Sequence, residues 1–117
     1  IVAGHYPVFS GGEHGSTPEL LRQVKPLLER YNVDAYLCGH DHTLQHLQKR
    51  GVTYLVSGSG ALSGTYEALD ESIFGTTERG FMSHRISARE MEVRLISRGG
   101  DALHTALLPR KRPGPGD

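Results

Sequence analysis

The amino-acid sequence predicts an α/β fold in which one main helix is followed by a strand-rich C-terminal part. Three observations carry that expectation. A short apolar run at residues 1–3 is separated by one helix-patterned segment from a second apolar run, Asp34-Ala35-Tyr36-Leu37-Cys38. From Leu44 onward the chain reads mainly as short extended runs set between glycine-bearing turns. Both apolar runs end in the same dipeptide, Gly4-His5 and Gly39-His40.

Residues 1–3 read as a buried strand delivering His5 into a loop, where Pro7 ends the ladder because it has no N–H to donate. Taken alone, His5 fits an ordinary loop histidine better than a ligand. The segment Phe9-Ser10-Gly11-Gly12-Glu13-His14-Gly15 presents His14 among glycines that leave room for a ligand. Residue chemistry does not separate a substrate-touching histidine there from an idle one in a solvated turn.

Thr17, Pro18 and Glu19 form a helix start: a cap, a residue suited to the first position, and an acid at the positive end of the dipole. Leu20, Val24, Leu27, Leu28 and Tyr31 make one apolar stripe for a sheet. Pro26 removes an N–H directed toward Arg22, which should kink the helix or split it in two, and Asn32 suits a left-handed stop. Residues 34–38 then form the second buried strand, so the order strand, helix, strand predicts a right-handed parallel crossover. Ligands collect at the carboxyl ends of strands in such sheets. His5 and His40 both stand just past such ends, and their separation, 40 minus 5, is what one crossover spans. His40-Asp41-His42 adds a pair of imidazoles that share a face if the segment is extended. Imidazole is the commonest metal ligand near neutral pH, although many such pairs are surface residues.

Residues 44–49 and 52–57 read as strands around Arg50-Gly51, with Gly51 at positive φ. Ser57-Gly58-Ser59-Gly60 lacks the Lys-Ser/Thr ending of a P-loop and reads as a tight turn near the site. His46 is expected at the surface. Residues 63–79 are aperiodic and glycine-dotted, a long loop around Tyr66, Leu69 and Phe74. Residues 80–86 and 91–97 form a hairpin, Gly99-Gly100 turns the chain, and 103–108 supply a last strand. One domain should therefore cover 1–108, leaving 109–117, with no apolar content after Pro109, as a disordered basic tail.

Composition bounds the function classes. The 117 residues suffice for one core. Thirteen Lys and Arg balance thirteen Asp and Glu, so no overall field recruits nucleic acid or an anionic membrane, and neither is expected as a partner. Cys38 is the single cysteine, which excludes an internal disulfide and any zinc site built on several thiolates. No apolar run approaches the roughly 20 residues of a membrane helix, and no signal-peptide pattern opens the chain. Because the sequence starts inside a strand, it is expected to be a piece of something longer.

Gly4-His5-Tyr6-Pro7-Val8, Glu13-His14-Gly15, Pro26-Leu27-Leu28, Tyr36-Leu37-Cys38-Gly39-His40-Asp41-His42 and the Leu-Pro-Arg that follows the closing hairpin together resemble the C-terminal half of a small purple acid phosphatase of the tartrate-resistant type. Those enzymes are calcineurin-like metallophosphoesterases. The resemblance implies half of a two-sheet αββα sandwich and a binuclear metal centre, with His5 and His40 on one metal and His42 on the other. It implies that His14 meets the phosphate and helps protonate the leaving alcohol, whereas Asp41 is read as a structural residue of its turn. It further implies two metal ions, Fe with Fe, Zn or Mn, a phosphate ester substrate, and a secreted, lysosomal or otherwise extracytoplasmic setting. The family's carboxylate, tyrosine and Asn-His ligands belong to its N-terminal half, which becomes an expected partner, and the present chain alone is expected to be inactive. Thr43 stands where close relatives commonly have Asn, and Glu19 where some secreted relatives have a disulfide cysteine.

Overall fold

The parallel crossover is present. β1 (Val2–Ala3) pairs with β2 (Ala35–Cys38) in parallel register, Val2 opposite Tyr36 and Ala3 opposite Leu37. The computed structural model describes residues 1–111. Between the two strands the helical segment divides as Pro26 requires, into α1 (Pro18–Gln23) and α2 (Lys25–Arg30), with Val24 as the joint. Thr17 occupies the cap position of α1, but its side chain makes no capping bond. Asn32 closes the helical segment at φ 50°, the left-handed conformation expected of it.

β3 (Leu44–Lys49) and β4 (Val52–Ser57) form the expected hairpin, with Arg50 and Gly51 at φ 47° and 77°. That pair of positive values twists the turn to match its strands. β4 lies parallel to β2, and β3 continues on its far side. The segment expected to be one long loop contains a fifth strand, β5 (Ser72–Thr76), antiparallel to β3 with an irregularity between His46 and Leu47. It escapes periodicity because it is short, sits at an edge and includes Gly75, where a Cβ would collide with the Tyr66 ring. The first sheet therefore runs β1-β2-β4-β3-β5.

A second, antiparallel sheet holds β6 (Gly80–Ile86), β7 (Glu90–Ser97) and β8 (Ala102–Pro109) in that order. β8 extends one residue past the expected domain limit at 108. Arg110 donates its N–H to Arg89, and the Lys111 amide bonds the Asp34 carboxylate at 2.9 Å. The rest of the expected tail, 112–117, lies outside the described residues.

Period-two alternation sorts the side chains of the first sheet into two cores. Tyr36, Leu47, Tyr54 and Val56 face the helices and pack with Leu28, Val8 and Phe9. Ala35, Leu44 and Leu55 face the second sheet and meet Met91, Val93 and Leu95 of β7. The layers are thus helix, sheet, sheet. Phe81 and Leu107, each more than half exposed, stand on the second sheet, which no helix covers among the described residues.

His46 corrects its expected surface role. It is buried between the sheets with Nδ1 3.0 Å from His104 Nε2, and His104 stacks on Phe74 with centroids 4.7 Å apart. The reason is register: His46 pairs with Leu55 on one side and Phe74 on the other, inside a sheet covered on both faces.

Candidate metal and phosphate site

The parallel ladder does not stop where β1 and β2 end. Gly4 donates to Leu37 at 2.9 Å and Gly39 donates to His5 at 3.1 Å, so the two Gly-His segments leave the sheet side by side. His40 then takes φ 66°. That left-handed conformation costs a β-carbon-bearing residue about 1–3 kcal/mol and is held by its surroundings. Gly58 packs directly beneath: its N–H donates to Thr43 at 3.0 Å, and any Cβ there would strike the Asp41 carbonyl. The Ser57-Gly58-Ser59-Gly60 turn is accordingly a floor under the histidine loop.

Three of the four expected site residues come together. His40 Nδ1 lies 3.2 Å from His5 Nε2, and the His14 ring stands 4.4 Å from that of His40, centroid to centroid. His42 follows on the same loop, its carbonyl accepting the Gly64 N–H at 2.8 Å. Its ring makes none of the ring contacts that join the other three among the described residues. Tyr6, not singled out by sequence, packs edge-on to His5 at 4.9 Å and against His40 at 4.7 Å. The Tyr36 hydroxyl holds the Tyr6 carbonyl at 2.8 Å, which requires glycine at position 4.

Asp41 organises the other side of the site. It is fully buried, and its Oδ2 accepts the Ser10 hydroxyl. Its Oδ1 accepts the His14 backbone N–H at 3.0 Å and faces His14 Nδ1 at 2.8 Å. Burial pushes the carboxyl up, but the Ser10 hydroxyl, the His14 amide and the His14 ring together hold it below the usual carboxylate value. A carboxylate can only accept, so Nδ1 carries the proton and Nε2 of His14 remains open. Reading Asp41 as a residue of its turn is correct in place and incomplete in role, because its partners, Ser10 and His14, are about 30 residues away in the chain. Cys38, close by, is a neutral thiol whose pKa burial pushes up to about 12, next to the Asp41 charge.

The donor set suits a metal in part. Nitrogens 3.2 Å apart, each about 2.1 Å from a common ion, would subtend roughly 100°, within reach of tetrahedral and octahedral centres. Among the described residues no group of three or more His, Cys, Asp or Glu side chains is placed to hold an ion unaided. Among the described residues, His5 and His40 present a two-imidazole face.

Residues 1–44, which contain both Gly-His segments and His14, match the family model described as calcineurin-like phosphoesterase. Tartrate-resistant acid phosphatase type 5 of Homo sapiens is 43% identical over 95% of this chain and 38% of that protein. Purple acid phosphatase 7 of Arabidopsis thaliana is 36% identical over 95% of this chain and 35% of its own length. Over its first 44 residues the chain is similar to the calcineurin-like phosphoesterases. It is similar to the purple acid phosphatases, and it spans little more than a third of those relatives. A solved structure, GAP50, the anchor in the inner membrane complex of Plasmodium, superposes with a TM-score of 0.88 at 26% identity, over 94% of this chain and 36% of that one. The helix-sheet-sheet layering described above is half of the phosphoesterase sandwich. No helix among the described residues is long and apolar enough to cross a membrane.

Proposed function

We propose that the protein to which this chain belongs hydrolyses phosphate monoesters at a binuclear metal centre, and that this chain supplies part of that centre. The observation that carries the reading is the convergence of His5 and His40 at 3.2 Å, with the His14 ring tilted against that of His40 at 4.4 Å between centroids. In this reading His5 and His40 hold one metal and His42 the other. The N-terminal half of the same domain provides the remaining ligands, and the ions are Fe with Fe, Zn or Mn. When bound, such a pair supplies Lewis acidity toward the phosphate and an activated water. The work of this chain's residues is separate. Gly15 faces open space beside His14, and His14, oriented through Nδ1–H, presents Nε2 to the leaving-group oxygen; as imidazolium it gives the Nε2 proton to that oxygen as the ester bond breaks and is left in the Nδ1–H form. The alcohol and inorganic phosphate leave, and no phosphoenzyme is required. An extracytoplasmic setting belongs to the same reading.

The test is His40→Ala and His42→Ala in the full-length protein, assayed on an aryl phosphate with bound metal quantified. Loss of a ligand is expected to cost on the order of 10²-fold or more in activity and to lower metal content. Activity within a few fold of the parent in both variants would overturn the assignment. A phosphodiester or nucleotide substrate at the same site is distinguished by comparing rates on a monoester and a diester. The similarity to a protein described as an anchor favours a second reading, a binding role without hydrolysis. Stoichiometric metal with turnover excludes it.

A further inference from the structure

Gln45 lies wholly inside the protein, in β3, just beyond the His40-Asp41-His42 loop. Its hydrogen bonds go to the two segments that build the site. Oε1 accepts the Gly11 N–H at 2.9 Å, and Nε2 donates to the hydroxyls of Ser10 at 3.0 Å and Thr43 at 2.7 Å. The Gly11 amide can only donate, which fixes the orientation of the Gln45 side chain and leaves both of its protons for hydroxyls.

That orientation has a consequence for Ser10. Its oxygen also accepts the Gly12 N–H at 2.9 Å, so with Gln45 as a second donor both lone pairs are engaged. The single hydroxyl proton then has one destination, the Asp41 carboxylate to which Ser10 is bonded. Asp41 in turn receives the amide and the ring Nδ1 of His14. A near-isosteric apolar side chain would occupy the same volume in β3 while directing nothing.

We propose that Gln45 is a positioning residue for His14: by steering the Ser10 proton onto Asp41 it locks the glycine-rich loop against β3 and holds the His14 ring in the Nδ1–H tautomer. The catalytic consequence rests on the phosphatase reading above, and the tautomer itself does not. Nε2 is then the nitrogen that meets the substrate.

The test uses the full-length protein with Gln45→Met, Ser10→Ala and the double variant. Turnover of an aryl phosphate and the ¹⁵N signals of the His14 ring are read at one fixed pH, beside the melting temperature. For Gln45→Met, kcat is expected to fall about tenfold or more with KM within about threefold, because orientation and not ground-state binding is lost. The His14 ring signals should move from the Nδ1–H tautomer toward a mixture. In the Ser10→Ala background, Gln45→Met should add less than about twofold, since both act through one bond. Parent-like kcat and tautomer in Gln45→Met, with only the melting temperature lowered, would show a merely structural role. If the full-length protein has no phosphatase activity, the functional reading fails and the ring signals alone decide the positioning. Should Gln45→Met not fold, Gln45→Asn, which keeps an amide but withdraws it from Ser10, carries the same readouts.

Discussion

One oxygen of Asp41 binds His14 twice, through the backbone N–H at 3.0 Å and through ring Nδ1 at 2.8 Å. The carboxylate thereby sets both where the loop sits and which ring nitrogen is protonated. Asp41→Asn keeps the shape but replaces one acceptor with a donor, leaving a buried donor opposed to either Ser10 or His14. A stability loss of about 1–3 kcal/mol is expected, together with a fall of about tenfold or more in turnover. Urea unfolding and a phosphatase assay on the full-length protein check it, and parent-like values in both would show that the pair is incidental.

His46 makes stability depend on acid. Burial pulls its pKa down from 6.5 to about 4, with the neighbouring His104 adding to the shift. Between those values the unfolded chain binds a proton that the folded one refuses, so stability declines as pH falls from 6.5 and the full loss is reached below about 4. The size is on the order of 3 kcal/mol for a lone group, shared when the pair titrates together. His46→Leu should flatten that part of the profile in denaturation curves at pH 7 and pH 4.5. An unchanged slope would mean that other groups dominate the acid response.

Two glycines should respond oppositely to the same change. A Cβ on Gly75 collides with the Tyr66 ring, whereas one on Gly60 meets nothing within 4 Å. Gly75→Ala is expected to cost about 1–3 kcal/mol through overpacking beside β5. Gly60→Ala should stay within about 0.5 kcal/mol of the parent. Melting temperatures of the pair measured side by side decide it.

Tyr54 is 1% exposed, and its hydroxyl has no hydrogen-bond partner among the described residues. Burial, with the nearby Glu29 charge, pushes its pKa up to about 12. Tyr54→Phe removes a desolvated polar atom and keeps the ring that packs edge-on to Phe9. The variant should be neutral or more stable by about 1 kcal/mol. A clear destabilisation in urea would reveal a partner for the hydroxyl, such as a buried water.

Much of the candidate site was legible because local signals and strand topology agree. Gly4-His5 and Gly39-His40 end two apolar runs joined by one helical segment, and a parallel crossover brings such ends together. The relay behind them was not legible. Ser10 and Asp41 are 31 residues apart, Gln45 and Ser10 are 35 apart, and no periodicity links a loop serine to a strand glutamine. β5 was hidden for a related reason: a five-residue edge strand with a glycine is defined by its partner β3 and not by its own pattern.

The sequence by itself determined the crossover, the break at Pro26, the turns at Asn32 and Gly51, the β7 alternation and the histidines that gather at the strand ends. Each of these depends on residue chemistry within one turn or one period. Only the tertiary structure decided that His46 is buried against His104, that the His42 ring makes none of the ring contacts joining His5, His14 and His40 among the described residues, and that Asp41 answers to Ser10 and His14. Burial and hydrogen bonding across sheets depend on register between distant segments, and register is set when the layers close on their cores.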